Sequence, residues 1–457
     1  MLKLVAHPVA EVVEGPSGYD GSTLHLDLAD LRADLLTDER LRDVRLDLVR
    51  PGEVVRVGNV LDVADARRRV GGPTYPGIDG PVESDATDVE IHRFEDFQIV
   101  QTGIPPTGEG GLMVARRAFI DYWGEGARWT PFAAVPSLVV DVVFAQGVTD
   151  KVAVDSAARG ALLSLSTKIG SLSVGSAEGN VREFGALWER AAARAAAGEG
   201  LPRVAYVDQV QSQGALVDTF LYGDPVRSLY PTLIDPIELL GGAVVSGNHQ
   251  RVTTPTIWHC NNPVVRRLLG EDGKTISFVG VVLMEGHHKT TPEKQRSADH
   301  AVQLLRYLRV DGAVFTQEGG GMSIVDQMLT VEGARKVGIE CVALTYEMAG
   351  PEGIDRPLIH FTRAAKNLIS TGNRDALVDL DAPQRVLGNT GVEAMQAARG
   401  GDVASPGGAG RDAPRPGAST EKSESLDLAA PMQAPLWVLY GSVSQVGGAR
   451  TRATSSA

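Results

Sequence analysis

The sequence predicts an α/β protein, in which a β-rich α+β first part is followed by a doubly wound βαβ domain. Three observations lead to this fold class. Roughly the first 145 residues contain short β-prone runs that are broken by Pro and Gly. The residues beyond Gly241 alternate between strand-like and helix-like segments. The length of 457 residues also exceeds what one hydrophobic core usually fills, which indicates two folding units.

The first part passes from strands to helices. Its β-prone runs are "STLHLDLADLRADLL", "VRLDLVRPGEVVRVGNVLDVADARRRVGG" and "SLVVDVVFAQ". Helical spacing and a high alanine content follow in "DKVAVDSAARGALLSLSTKIGS" and "NVREFGALWERAAARAAAGEG". A strand returns in "PRVAYVDQVQSQG". We therefore expect residues 1–240 to form a region that is first β-rich and then helical.

The second part has the alternation that a parallel sheet requires. Its expected elements are "ISFVGVVLMEG", "SADHAVQLLRYLRV", "DGAVFTQEGGG", "IVDQMLTVEGARKVG", "IECVALTYEMAG" and "AKNLISTGN". This order predicts βαβ units over residues 241–398. Residues 399–432 are rich in Gly, Pro, Ala and Ser and are expected to form a flexible linker. Residues 433–457 begin with an apolar run and are expected to dock back onto the protein.

Composition disfavours several classes of protein. A formal net charge of -13 and a pI near 5.2 would repel phosphate backbones and anionic membranes, so neither is an expected partner. Cys260 and Cys341 are the only cysteines, which fits a reducing compartment and no disulfide framework. No run of about 18 apolar residues occurs, so no membrane span is expected. We predict a cytoplasmic protein.

Polar residues follow several expected strands, and ligands of parallel α/β sheets bind at the carboxyl ends of the strands. The polar strand ends are Glu285-Gly286-His287-His288, Gln317-Glu318-Gly319-Gly320-Gly321 and Thr345-Tyr346-Glu347. The stretch "SGNHQRVTTPTIWHCNNP" adds Asn248, His249, His259, Cys260, Asn261 and Asn262. We expect the site where this stretch meets the sheet edge.

Each of these features has a competing structural interpretation. A zinc or iron site would draw on His249, His259, His287, His288 and Glu285. The spacing matches no standard zinc signature, and adjacent histidines on an extended backbone point in opposite directions. Cys260 is either a nucleophile beside His259 or a small buried side chain. The triple glycine is either a phosphate cradle or a tight βα turn.

Several motifs carry a family resemblance. The stretches "DLVRPGEVVRVGNVLDVADARRR", "VDQVQSQGALVDTFLYGDPV", "PTLIDPIELLGGAVVSGN", "DGAVFTQEGGG" and the final "PLWVLYGSVSQVGG" resemble the component B proprotein of glycine/sarcosine/betaine reductase. The resemblance implies a substrate-binding component that works beside a subunit bearing a thiol or a selenocysteine. It also implies reductive cleavage of the C–N bond of a small amino acid or betaine.

One position departs from the family pattern. In that family the residue after Ser-Gly-Asn is a cysteine, at which the proprotein splits and leaves a pyruvoyl group. Here this residue is His249, and imidazole offers no β-heteroatom that can be eliminated. No pyruvoyl group is therefore expected at His249. Cleavage displaced to Cys260, or to Ser246, Thr253 or Thr254, is the alternative to the uncleaved chain that we expect.

The sequence thus predicts a subunit of an oxidoreductase complex, working in an oligomer on a small amine or amino acid. Catalytic roles are expected for His249, Asn248, His259, Cys260 and Glu318. Substrate contacts are expected from Gln211, Gln213, Asn261, Asn262 and Glu347. Two alternatives stay open: a non-catalytic scaffold subunit, and a metal-dependent enzyme that uses His249, His259, Cys260 and His287.

Overall fold

The structure is a computed structural model. It describes residues 1–82, 89–103, 118–176, 179–197, 200–211, 219–227, 229–247, 254–388 and 427–446. Gln213, Asn248, His249 and Thr253 lie outside the described residues, as do residues 399–426 of the expected linker. No helix within the described ranges is long and apolar enough to cross a membrane.

The first part of the chain is built mainly from short strands. Its strands are β1 (Leu2–Pro8), β2 (Glu11–Glu14), β3 (Gly18–Tyr19), β4 (Thr23–Leu26), β5 (Leu41–Val49), β6 (Val55–Val57), β7 (Val60–Ala64), β8 (Arg67–Val70), β9 (Val89–Glu95), β10 (Gln98–Gly103), β11 (Ile120–Asp121), β12 (Ser137–Phe144) and β13 (Asn180–Phe184). Its helices are α1 (Leu28–Leu35), α2 (Gly124–Ala127), α3 (Lys151–Gly170) and α4 (Leu187–Ala197). The main sheets have the strand orders β13-β1-β9-β8 and β5-β12-β10-β7. Helix α3 packs on β8 and β10 and completes the core of this part.

Two stretches of the first part differ from the sequence prediction. The β-prone run "STLHLDLADLRADLL" is a strand only over β4 and continues as α1. Asp27 causes the change, because its side chain accepts a hydrogen bond from the Asp30 amide and caps the helix. The stretch "NVREFGALWERAAARAAAGEG" begins as β13, which pairs with β1, and becomes helical only at α4.

The second part alternates strands and helices. Its strands are β14 (Arg203–Gln211), β15 (Phe220–Leu221), β16 (Asp224–Pro225), β17 (Thr232–Ile234), β18 (Val244–Val245), β19 (Ser277–Gly286), β20 (Gly312–Gln317), β21 (Glu340–Glu347), β22 (Leu368–Asn373), β23 (Leu377–Leu380), β24 (Arg385–Leu387) and β25 (Met432–Pro435). Its helices are α5 (Pro236–Leu240), α6 (Thr256–Cys260), α7 (Pro263–Glu271), α8 (Thr291–Tyr307) and α9 (Met322–Lys336). The α/β fold class predicted from the sequence is confirmed.

One sheet dominates the second part, with the strand order β17-β19-β14-β20-β21-β22. All neighbours in it are parallel except the edge strand β17. Helices α8 and α9 share one apolar cluster with the sheet, and α5 and α7 share another. Its central strand, β14, precedes residue 240, where the sequence predicts a division of the chain into two regions. That division stays a prediction.

The order of the parallel strands fixes where a ligand can bind. From β14 the chain continues to β19 on one side, then crosses back to β20 on the other side. The connections on the two sides leave in opposite directions, so the switch point lies between the carboxyl ends of β14 and β20. This topological switch point is the expected ligand site of such a sheet.

Residues 427–446, the C-terminal tail, pack on both parts of the chain. Strand β25 pairs with β23. Further along, the Thr130 hydroxyl donates to the carbonyl of Tyr440 at 2.7 Å, and the Thr371 hydroxyl donates to the carbonyl of Val443 at 3.0 Å. The Gln317 amide at the end of β20 donates to Gln445 Oε1 at 2.7 Å. The tail therefore reaches the switch point.

Candidate functional site

A buried ion pair lies at the switch point. Glu318 directly follows β20, and its Oε1 lies 3.1 Å from Nε2 of His259 on α6. Both side chains are buried. The contact is an ion pair by distance rather than a well-aligned hydrogen bond, since His259 Nε2 has no aligned partner among the described residues. Two of the five residues predicted to be catalytic, His259 and Glu318, are thus brought together.

Backbone amides hold the Glu318 carboxylate in place. Its Oε2 accepts from the Gln211 amide at 2.7 Å, and its Oε1 accepts from the Thr254 amide at 3.1 Å. Burial alone would raise the pKa of Glu318, but His259 and these amides hold it below its usual range. Burial alone would lower the pKa of His259, but the Glu318 carboxylate outweighs this effect and raises it. The pair is therefore stable as imidazolium and carboxylate.

Two further buried carboxylates act on His259. Burial raises the pKa of Asp62 and the pKa of Asp208, each to about 6. Asp62 accepts hydrogen bonds from the amide and the hydroxyl of Thr256, at 2.9 Å and 2.5 Å. Asp208 accepts from the Thr316 hydroxyl at 3.2 Å. The site thus combines one imidazole with three carboxyl groups.

The segment that contains His249 leaves from and returns to this site. On its N-terminal side, the Ser246 amide donates to the Thr256 hydroxyl oxygen at 3.1 Å. On its C-terminal side, the Thr254 amide donates to Glu318 Oε1. Asn248 and His249 themselves fall within residues 248–253, which the description does not cover. Ser246 and Thr254, on either side of these residues, are both hydrogen-bonded at the site.

Cys260 lies beside His259 in sequence but in a different environment. Its side chain is fully buried and belongs to the apolar core of the first part. Burial raises the pKa of the Cys260 thiol to about 12. Since the thiolate is the nucleophilic form, this position disfavours reaction at neutral pH.

Asn261 and Asn262 have structural partners. The Asn261 amide group donates to Asp65 Oδ2 at 3.0 Å and to the Ile257 carbonyl at 2.8 Å. Asn262 caps α7, since its Oδ1 accepts from the Val264 and Val265 amides. These contacts account for the paired asparagines of "HCNNP".

The triple glycine makes the turn that presents Glu318. Gly319 and Gly321 have φ angles of 75° and 70°, which favour glycine. A Cβ atom on Gly320 would lie 2.1 Å from the hydroxyl oxygen of Tyr346. That hydroxyl donates to the Gly319 carbonyl at 2.6 Å. Steric demand of a tight βα turn therefore explains all three glycines.

A second polar cluster lies at the end of β19. The Nδ1 atom of His288 lies 2.9 Å from Asp326 Oδ1, and its Nε2 lies 3.7 Å from Glu285 Oε2. Lys294 Nζ donates to the other oxygen of Asp326 at 2.5 Å. Within the described part of the chain, no group of three or more His, Cys, Asp or Glu side chains is arranged to hold a metal ion.

The remaining predicted residues are placed as follows. Nε2 of His287 contacts the Gly320 carbonyl at 3.0 Å, and burial lowers the pKa of His287. Glu347 accepts from the Ser370 hydroxyl at 2.5 Å at the far side of the sheet. Gln211 contributes its backbone amide to Glu318. The histidines proposed as metal ligands thus pair with different groups, His259 with Glu318 and His288 with Asp326.

Sequence reasoning missed Asp62 and Asp208. Both lie within apolar strand segments, in "NVLDVADA" and "VAYVDQV". A carboxylate inside a buried strand is rare unless it is paired, and this signal was present in the sequence.

The fold and the site define a doubly wound α/β protein with a buried ion pair at its ligand-binding edge. Comparison with known proteins gives the family. The family model for glycine/sarcosine/betaine reductase component B subunits matches residues 2–409. The chain therefore belongs to the glycine/sarcosine/betaine reductase component B family, and the resemblance of its motifs is confirmed.

Curated relatives agree with this assignment. The glycine reductase complex component B subunits alpha and beta of Peptoclostridium acidaminophilum are 31% identical over 376 residues, or 81% of this chain and 85% of the relative. The sarcosine reductase complex component B subunit alpha of the same organism is 30% identical, over 77% of this chain and 81% of the relative. The betaine reductase complex component B subunit alpha of the same organism is 28% identical, over 86% of this chain and 89% of the relative. No solved structure matches the chain.

Proposed function

We propose that this chain is the substrate-binding subunit of a reductase complex of this family. It holds a small amino acid or an N-methylated relative at the switch point. The observation that carries this proposal is the buried His259–Glu318 pair flanked by Asp62 and Asp208. With pKa values of about 6, both aspartates are mainly ionised at neutral pH, so negative charge exceeds that of the imidazolium. Such a site favours an ammonium group, which glycine, sarcosine and betaine share.

The electrons come from a partner in this proposal. The relatives are named as components of reductase complexes. The family resemblance implies a partner subunit with a thiol or a selenocysteine, and that group would attack the bound substrate and cleave its C–N bond. This chain's residues then need only bind and orient the substrate. A cytoplasmic location is part of the same proposal.

The chain acts uncleaved in this proposal. His249 stands where the family's cysteine forms the pyruvoyl group, and its imidazole cannot be eliminated. Displaced cleavage before Cys260 is disfavoured, because the peptide bond lies within α6 and the pKa of the thiol is about 12. The residues present therefore do not fit a pyruvoyl group, and we propose none.

Intact-protein mass spectrometry tests whether the chain is cleaved. The denatured chain is expected to give one species near 48.4 kDa. His249→Cys restores the family's cysteine and is expected to give two fragments that meet between residues 248 and 249. Two fragments from the unaltered chain would contradict the proposal.

Thermal denaturation with glycine, sarcosine and betaine tests binding. We expect at least one of them to raise Tm in a concentration-dependent way, because a ligand that binds only the folded state stabilises it. Propionate, which lacks the ammonium group, is the control and should leave Tm unchanged. A Tm that none of the three changes would contradict the proposed function.

A further inference from the structure

The C-terminal tail places a hydrogen-bond donor near the switch point, and this donor has no partner among the described residues. The Gln317 amide donates to Gln445 Oε1 at 2.7 Å, which identifies the oxygen end of this carboxamide. The Nε2 end of Gln445 is buried and has no hydrogen-bond partner among the residues that the structure describes. Glu318 is the next residue after Gln317 in the chain, so this donor belongs to the neighbourhood of the ion pair.

Tyr440 gives the tail a second donor of the same kind. Its ring packs against Phe132 with a centroid distance of 5.5 Å, and only 4% of the residue is exposed. Its hydroxyl has no hydrogen-bond partner in the described ranges. Burial raises the pKa of this hydroxyl well above its usual value, and the nearby Asp62 and Glu318 carboxylates raise it further. The hydroxyl therefore keeps its proton. The next residue, Gly441, lies against Trp258, since a Cβ atom on it would be 3.0 Å from the Trp258 ring, and Trp258 precedes His259 in α6.

The strands β14 and β20 contribute hydrogen-bond acceptors that have no partner among the described residues. Asp208 Oδ2 and Gln317 Oε1 are buried, and neither has a hydrogen-bond partner within the described part of the chain. A buried polar atom without a partner is costly, because it has lost its hydrogen bonds to water, so native proteins rarely leave several of them together. Donors on the tail would be satisfied by a ligand carboxylate. Acceptors on the sheet would be satisfied by the N–H groups of a glycine or sarcosine ammonium, whereas the betaine ammonium, which has no N–H, would face them by charge alone.

We propose that the tail completes the binding site, with the Tyr440 hydroxyl and the Gln445 carboxamide donating to the carboxylate of a zwitterion. The ammonium end of this ligand faces Asp208 and Glu318. The inference rests on the proposed function and deepens it, because it assigns the two ends of the ligand to different segments. Tyr440 and Gln445 are then specificity-determining residues that select a carboxylate.

Tyr440→Phe is the most informative variant. It keeps the ring packed on Phe132 and removes only the unpartnered hydroxyl, so Tm of the free protein is expected to stay the same or rise. The affinity for betaine, measured by isothermal titration, is expected to fall about tenfold or more, since a hydrogen bond to a charged group is lost. The affinity for tetramethylammonium, which has no carboxylate, is expected to stay unchanged.

Gln445→Glu tests the second donor without removing the contact to Gln317. Its carboxylate still accepts from the Gln317 amide but repels a ligand carboxylate, so the affinity for betaine is expected to fall more than tenfold. Gln433→Glu on the same tail is the matched control, because Gln433 is exposed and bonds only Asp379 among the described residues. Tyr122→Phe is the control for tyrosine. Its hydroxyl donates to Ser137 at 2.7 Å, so its loss lowers Tm and leaves the affinity for betaine unchanged.

The outcomes separate the two proposals. If the unaltered chain binds betaine, sarcosine or glycine and both tail variants bind it equally well, the tail inference is overturned and the proposed function stands. A loss that is equal for tetramethylammonium and betaine also overturns the inference, because the carboxylate would then play no part. Failure of the unaltered chain to bind any of the three zwitterions overturns both proposals.

Discussion

The Thr256 hydroxyl donates to Asp62 Oδ2 at 2.5 Å while it accepts from the Ser246 amide at 3.1 Å. Asp62 belongs to β7 in the first part of the chain, and Thr256 begins α6, which carries His259. The Thr256 side chain therefore connects three elements by hydrogen bonds: β7 of the first part, the residues just before His249, and helix α6 of the candidate site.

Thr256→Val should lower the stability of the protein. The substitution removes the hydroxyl donor from a buried carboxylate, and such a hydrogen bond contributes about 1.5–3 kcal/mol. We expect the free energy of unfolding in urea to fall by that amount. Thr330→Val is the matched control, because the buried Thr330 hydroxyl donates to the Asp326 carbonyl one turn back in α9, and its loss should cost under about 1 kcal/mol. Equal decreases in the free energy of unfolding of the two variants would show that the hydrogen bond to Asp62 stabilises the protein no more than the one within α9.

The stability of the protein should depend on Asp208 between pH 4 and pH 6. Burial raises the pKa of Asp208 from 3.8 to about 6, so the folded state binds a proton more tightly than the unfolded state does. The contribution of Asp208 is therefore fully present below pH 4 and is lost as the pH rises through about 6. A shift of roughly two pKa units corresponds to about 3 kcal/mol.

Asp208→Asn tests this dependence directly. Asparagine does not titrate, so the free energy of unfolding of the variant should fall about 3 kcal/mol less than that of the unaltered chain between pH 3 and pH 7, with about 2 kcal/mol of this difference between pH 4 and pH 6. Asp311→Asn is the control for the substitution itself, because Asp311 is exposed and asparagine can keep the hydrogen bond that its side chain accepts from the Arg203 backbone amide. Parallel profiles for Asp208→Asn and the unaltered chain would mean that Asp208 titrates as an ordinary carboxyl group.

Both cysteines should be unreactive in the native protein. Cys260 and Cys341 are buried, and burial raises the pKa of each thiol to about 12. Ellman's reagent at pH 8 should therefore detect no thiol in the native chain and both thiols in denaturant. Rapid native reaction of one thiol that is lost in Cys260→Ala would show an accessible nucleophile and would reopen cleavage at that residue.

Lys294→Met should destabilise the protein strongly. Lys294 and Asp326 are both buried, and removal of the lysine takes away the ammonium group beside the Asp326 carboxylate, which keeps its contact with His288. Loss of one partner of a buried ion pair costs about 3–5 kcal/mol. Lys336→Met removes an exposed lysine that pairs with Glu332, and its cost should stay below about 1 kcal/mol. Equal effects in urea denaturation would show that the Lys294 pair is not buried in solution.

The sequence predicts the parallel sheet well because β14, β19, β20 and β21 are apolar runs, and because β19 and β20 are each followed by a helix with regular spacing. The same regularity places Glu318 at a strand end and therefore at the ligand edge. The pairing of Glu318 with His259 could not be predicted, since it depends on how α6 packs beside β20. The approach of Tyr440 and Gln445 could not be predicted either, because a long segment separates them from the sheet and no local pattern states where the tail docks.

The histidine cluster is the opposite case. Its sequence pattern indicates a metal site, whereas the described histidine side chains contact different groups. His287 and His288 are adjacent, and His287 has a φ angle of 65° that turns the chain after β19. His287 then contacts the Gly320 carbonyl, whereas His288 turns to Asp326. A cluster of histidines along the sequence therefore does not establish that their side chains bind one metal ion.

Isothermal titration of betaine, sarcosine and glycine into the full chain and into Glu318→Gln tests the central claim most directly. Glutamine keeps the shape of Glu318 but removes the charge that stabilises the His259 imidazolium and attracts an ammonium group. We predict saturable binding of at least one ligand to the unaltered chain and a loss of affinity of more than tenfold in Glu318→Gln. Unchanged affinity in the variant would contradict a ligand site at the His259–Glu318 pair.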